Sequence, residues 1–248
     1  MNQPPSIWLR PERSARGPVP EHSRAEIARA AVALADQGGL AAVTMRSVAA
    51  AIGTGPASLY RYVNTRDEIL ELMVDEVAGE YHPILPAAAA PPSAPQPQPA
   101  LAGLLQLARR ARQIFRRHPW MIDLPSVGTL PGPNAIAYTE RVLTVLDGTA
   151  LDSTARLELV GIFTGLVRLL ARTEADQRRA GQQLAQWQEA LAAYLTAAVA
   201  DGRSPRLAAT LASAAGPSGP DDPFDRTLTR ILAGLLDPPG SQLPEGIA

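Results

Sequence analysis

Residues 44–66, TMRSVAAAIGTGPASLYRYVNTR, decide how the rest of the chain is read. Thr44 is a natural N-cap, and Met45, Val48, Ala49 and Ile52 fall at i, i+3, i+4 and i+7, the single apolar stripe of a helix resting on a core. Gly53 ends that helix. Thr54 or Gly55 can cap the next one, and Pro56 occupies a first position whose N–H has no intrahelical partner to lose. The pattern predicts a second helix over residues 56–63, about two turns and too short to persist alone in water. Such a helix must lean on neighbours. Two short helices joined by a glycine-marked turn make a helix-turn-helix.

Spacing residues at about 100° puts Leu59 and Val63 at the centre of one face of the second helix, with Pro56 beside them. Ala57 and Arg61 then point the other way, flanked by Ser58 and Tyr60. A methyl group can meet thymine, an arginine can take guanine with two hydrogen bonds, and hydroxyls can reach bases or phosphates, so this face suits a DNA major groove. Packing is the competing account: Tyr60 and Tyr62 as half-buried core residues and Arg61 merely solvated.

Composition narrows the classes. The 248 residues suffice for one large domain or two modest ones. All 23 basic residues are arginine, a bias that points to coding composition and carries no function. Residues 1–66 hold eight arginines against four acids, a surplus of four, whereas the remainder holds 15 against 20. A basic first quarter on a slightly acidic molecule suits a DNA-facing end. The absence of cysteine excludes disulfides, thiolate metal sites and thiol nucleophiles. The N-terminus lacks the apolar core of a signal peptide, and the longest apolar run, residues 157–171, is broken by Glu158 and Arg168. A cytoplasmic protein without membrane contact is expected.

Residues 1–20, rich in proline and without periodicity, read as a disordered arm, either a plain tail or one laying Arg13 and Arg16 along DNA. Ser23 to Glu26 is a capping box that opens the first helix, whose stripe is Ile27, Ala30, Ala31, Leu34 and Ala35; Gly38 and Gly39 stop it. Thr65 to Glu68 is a second capping box. The helix it opens runs to about His82, with Ile69, Leu72, Met73, Glu76 and Val77 on one face. Residues 83–100, rich in proline and alanine, form an extended linker. Helical patterns then fill residues 101–237. They include a helix at about 101–117 with Leu104, Leu105, Ala108, Ala111 and Phe115 inward and a solvated basic face, a helix at about 135–146, one from Asp152 or Ser153 to Glu174, and another at about 182–200. A connector follows, then a last stripe of Phe224, Leu228, Ile231, Leu232 and Leu235. Residues 238–248 are a tail. The fold class is all-α.

Thr44-Met-Arg46, Val48-Ala49, Ile52-Gly53, Ser58-Leu-Tyr-Arg-Tyr-Val63 and Arg66-Asp-Glu-Ile-Leu70, in that spacing, closely resemble the N-terminal domain of TetR-family repressors over about residues 23–81. The Gly128-Thr129 turn and the helix after it look like the C-terminal domain of the tetracycline-repressor branch. The resemblance implies a DNA-binding helix-turn-helix domain at 21–66, a connecting helix at 67–82 that tilts when ligand binds, and a ligand-binding and dimerisation domain at 101–237. Its implied DNA contacts are Thr44 and Arg66 on phosphates, Arg46, Ala57, Ser58 and Arg61 on bases, and Tyr60 and Tyr62 on phosphates through their hydroxyls. It further implies a homodimer, paired through the helix from Ser153 and the last helix, on a pseudo-palindromic operator, released by a small-molecule effector. His82 matches a ligand-contacting histidine of that branch. Ser126 stands where the branch has a metal-coordinating histidine, which argues against a metal–tetracycline ligand. Phe115, Trp120, Phe163 and Val167 are candidate walls for another apolar molecule, or ordinary core. No cofactor or metal site is expected. Three histidines without metal-ligand spacing and no glycine-rich phosphate loop leave little room for an enzyme. The competing class is a helical small-molecule-binding or enzymatic domain carrying a non-functional DNA reader.

Overall fold

The computed structural model describes residues 6–11, 21–81, 97–124, 130–200, 202–214 and 222–237. Among them are nine α-helices and no strand. The helices are α1 (Arg24–Gly38), α2 (Met45–Ala51), α3 (Pro56–Leu59), α4 (Arg66–Ala78), α5 (Pro97–Arg117), α6 (Pro133–Leu146), α7 (Ser153–Val199), α8 (Pro205–Ala214) and α9 (Pro223–Leu236).

The head comprises α1 to α3 and the start of α4. Ser23 accepts from the Glu26 N–H, and Thr65 from the Glu68 N–H, so both expected caps form. The reciprocal half of each box is diverted: Glu26 pairs with His22, and the buried Glu68 side chain takes the Asn64 N–H and Arg10. Thr44 and Ser47 complete a full capping box on α2. Gly53, at φ 75°, turns the chain from α2 into α3, a left-handed conformation that glycine adopts without strain. Ile27, Ala31, Val48, Ala49, Leu59, Val63 and Ile69 close the core beneath them.

Two expectations change here. The second helix of the motif is α-helical only over Pro56–Leu59; Tyr60 to Val63 continue as a turn, with the Tyr62 N–H bonded to the Leu59 carbonyl. The chain must curl back within a few residues to start α4, and a longer helix would overshoot. Residues 6–11 are also packed, against the expectation of a disordered arm. Ile7 is 0% exposed in a short 3-10 turn, Arg24 donates to the carbonyls of Ile7 and Arg10, and Arg10 pairs with Glu68 at 2.5 Å. One isoleucine and the bonds of two guanidinium groups hold this piece without any periodic pattern.

In the body, α5 packs on α6, α7 and α9. α5 begins at Pro97, inside the expected linker. Arg109, Arg116 and Arg117 are exposed, as the basic face was expected to be, but they are not free: Arg109 pairs with Asp225, Arg116 with Glu174 and Arg117 with Glu80, while Arg112, further inward, pairs with Glu174 and Asp222. Arg112 also lies over the Phe224 ring, 4.6 Å from its centroid. The stripe of α9 was expected to pair with a second copy. Phe224, Leu228, Leu232 and Leu236 are instead buried within the subunit, chiefly against α5. α7 breaks at Gly181, φ 49° and ψ −125°, so a strut ends there and an outlying helix continues to Val199.

Candidate nucleic-acid interface and its link to the body

The short α3 is carried on two buried side chains, Leu59 and Val63, and its opposite surface is open. Thr44, Arg46, Ala57, Tyr60 and Arg61 are exposed together around the α2–α3 turn, and Ser58 is half-buried with its hydroxyl accepting from Arg61. Arg46 makes no side-chain hydrogen bond with the described residues. Apolar support beneath and donors above give a rigid surface able to address groove edges and phosphates.

Two expected contacts are partly committed elsewhere. Arg66 is exposed, yet its guanidinium donates to the carbonyls of Val43 at 2.9 Å and Leu40 at 2.8 Å. It thereby clamps the 3-10 turn, Leu40–Ala42, that leads into α2. Tyr62 is half-buried, stands edge-on to His22, and its hydroxyl accepts from the His22 N–H at 3.4 Å.

The head joins the body through polar side chains centred on two that are nearly buried, Asp75 and His118. Asp75 on α4, 7% exposed, accepts from the Asn134 and Ala135 N–H groups and so caps α6, which has no side-chain cap of its own. Asn134 returns a bond to the Asp75 carbonyl. Gly132 makes this approach possible, because a Cβ there would come within 3.0 Å of both Asp75 and Trp8. Trp8 in turn donates to the Leu130 carbonyl. A second connection uses His118, 4% exposed: one ring nitrogen meets Asp36 of α1 at 2.7 Å and the other meets Glu80 at 2.9 Å. Trp120 donates to the same Asp36 oxygen, and Arg110 donates to the Glu80 carbonyl. A cleft of about 240 Å³ opens beside these groups between α1 and α4, lined in part by Arg29, Asp36, Glu76 and Glu80. Glu71, close by, is pushed above the usual carboxylate range, first by burial, then by Glu68 and Asp67, against the pull of the Leu130 amide and Arg10.

Of the expected ligand-site residues, Phe163 and Val167 are buried on α7, and Phe115 is half-buried against the same cluster. Trp120 is buried, but its indole N–H is taken by the head, which places it at the junction. His82 and Ser126 lie outside the described residues. Asp36, Asp75, Glu80, His118, Tyr81 and Tyr138 were not singled out as functional; each acts through a partner distant in sequence, and no local pattern marks such a partner.

Residues 27–73 match the family described as bacterial regulatory proteins, tetR family, and residues 95–237 match the tetracyclin repressor-like C-terminal domain. HTH-type transcriptional repressor DrrR1 of Streptomyces coeruleorubidus is 33% identical over 240 residues, covering 92% of this chain and 83% of the relative. An HTH-type transcriptional regulator of Saccharopolyspora erythraea is 29% identical, covering 94% and 92%. Among solved structures, the Streptomyces coelicolor TetR family protein ActR in complex with actinorhodin superposes with a TM-score of 0.67 at 26% identity, covering 88% of this chain and 97% of that one.

Proposed function

The chain belongs to the TetR family of bacterial regulatory proteins, and on that footing we propose that it is a repressor that binds a pseudo-palindromic operator as a homodimer and leaves it when a small-molecule effector binds the body. The observation that carries this reading is the open Arg46–Ala57–Tyr60–Arg61 surface on a buried support, tied to the body by Asp75 and His118. Arg46, Ala57, Ser58 and Arg61 read bases, while Thr44 and Tyr60 hold phosphates. Arg66 contributes its charge from a position fixed by the Leu40 and Val43 carbonyls, and Tyr62 contributes through the start of α1.

A second copy has a seat on α7. Leu157, Gly161, Gly165 and Leu169 recur every four residues along one face, the two leucines 61% and 60% exposed and both glycines with nothing within 4 Å of a Cβ. An open apolar stripe with small residues at its centre lets a partner helix approach closely. Leu157→Glu together with Leu169→Glu is expected to yield a folded monomer in sedimentation analysis.

Release requires the effector to prefer the conformation with displaced heads; a swing from 1:99 to 99:1 takes about 10⁴-fold preference, about 5.5 kcal/mol. The test is a gel shift with the DNA flanking the protein's own gene, with and without candidate compounds, beginning with actinorhodin, which the ActR relative holds. Arg61→Ala is expected to cost about 1–3 kcal/mol at the specific site and to relax preference at one base position. Full operator affinity in that variant overturns the assignment of the reading face.

A further inference from the structure

We infer that Tyr81 and Tyr138 form a paired hydrogen-bond donor in the effector site, selecting an aromatic molecule that presents carbonyl oxygens. This rests on the effector-binding reading of the body given above.

Tyr81 lies in the 3-10 turn that follows α4 and is 7% exposed; Tyr138 is half-buried on α6. Their rings meet at 4.3 Å between centroids, tilted by 44°. Neither hydroxyl has a hydrogen-bond partner, although polar groups around them are satisfied: Asn134 bonds Asp75, and Arg110 bonds the Glu80 carbonyl. The two oxygens are not sealed in either, since neither belongs to the buried atoms closed off without a partner. Each ring is thus largely withdrawn from water, while its oxygen is neither paired nor fully enclosed.

Packing alone does not call for hydroxyls here. Phenylalanine would fill the same space without setting an unpaired hydroxyl on a largely buried ring. Burial pushes both phenols above their ordinary range, so both remain protonated and act as donors. Two donors carried on rings that touch complement a flat ligand whose edge carries acceptors. The placement also matters for control. Tyr81 follows the helix that supports the head, and Tyr138 is on the helix that Asp75 caps, so a ligand held by both acts directly on the α4–α6 joint.

The experiment uses two probes of one shape, anthraquinone-2-sulfonate with ring carbonyls and anthracene-2-sulfonate without them. Calorimetric titration is run on the full chain, Tyr81→Phe, Tyr138→Phe and the double variant, with melting temperatures and operator gel shifts on the same samples. The wild type is expected to prefer the quinone at least about tenfold, and the double variant to lose that preference while binding the hydrocarbon probe as before and melting no lower. Equal binding of both probes by the wild type, or binding of neither, overturns the inference, as does a preference that survives in the double variant. Lower melting temperatures in both single variants would show that the protein itself holds the hydroxyls, and also overturn it. Intact operator binding in those cases leaves the regulator reading standing, and its loss in the wild type brings that reading down instead.

Discussion

Where the head meets the body, two nearly buried side chains each serve two partners: Asp75 takes two amides of α6, and His118 spans Asp36 and Glu80, which keep some contact with water. Where α5 meets α7 and α9, Arg112 and Glu174 form a half-buried centre, and the outer charges, such as Arg109 with Asp225 and Arg116, stand half in water. Both regions are rich in ions, but their physics differs. A buried group that loses its partner incurs the full desolvation cost, so it holds one geometry firmly. Exposed pairs gain little and re-form after small shifts. The junction is therefore suited to fixing where the recognition surface points, and the α5 seam to holding the body together while it adjusts.

The difference can be tested by breaking each side. Asp75→Ala removes the acceptor from two α6 amides and is expected to cost about 3 kcal/mol in urea unfolding, with operator binding weakened even though no DNA contact is touched. His118→Ala leaves Asp36 and Glu80 facing a gap, and about 2 kcal/mol is expected. Combined with Asp36→Ala, the loss should fall short of the sum, and full additivity in that double-mutant cycle would mean the two residues are not coupled. Arg66→Ala separates scaffold from contact within the head. A clamp on the Leu40 and Val43 carbonyls predicts about 1 kcal/mol of lost stability along with uniformly weaker DNA binding; lost affinity with unchanged melting would make it a phosphate contact alone.

Acid provides the mildest probe. Burial acts to raise Glu174, but Arg112 and Arg116 outweigh it and hold its carboxyl below the usual range; Asp222 is held low chiefly by Arg112. A depressed folded value means their contribution is complete above the ordinary carboxylate range and is lost as the pH falls through the depressed values. Glu71 at the junction is raised, so its protonated form is favoured in the fold and its effect runs the opposite way. Below about pH 5 the α5 seam is expected to loosen ahead of the junction, and hydrogen exchange followed by peptide should show faster exchange at α9 before α4.

Legibility followed the same division. The head could be read because its determinants are local: Ser23, Thr44 and Thr65 cap, Gly53 turns, Pro56 starts α3, and each lies within a few residues of what it controls. The connecting helix was legible to within a turn, since it gives way to a 3-10 turn at Gly79. What escaped were partnerships across the chain. Asp75 finds Asn134 59 residues later, and His118 finds Asp36 82 residues earlier. Ile7 escaped for another reason, because a single buried side chain among prolines generates no period. The basic face of α5 was legible, but not its ion pairs, because the partners sit on elements whose docking no one-dimensional pattern reveals.

The chain has three tryptophans. Trp8 and Trp120 donate their indole N–H groups across the junction, to Leu130 and Asp36, while Trp187 stands well exposed on the outlying helix beyond Gly181. Two intrinsic fluorophores thus stand at the junction and one stands in water as a reference. Replacing Trp187 with phenylalanine would leave an emission signal belonging to the junction alone, with no dye attached, and its colour and lifetime would report any rearrangement there when a compound or DNA is added.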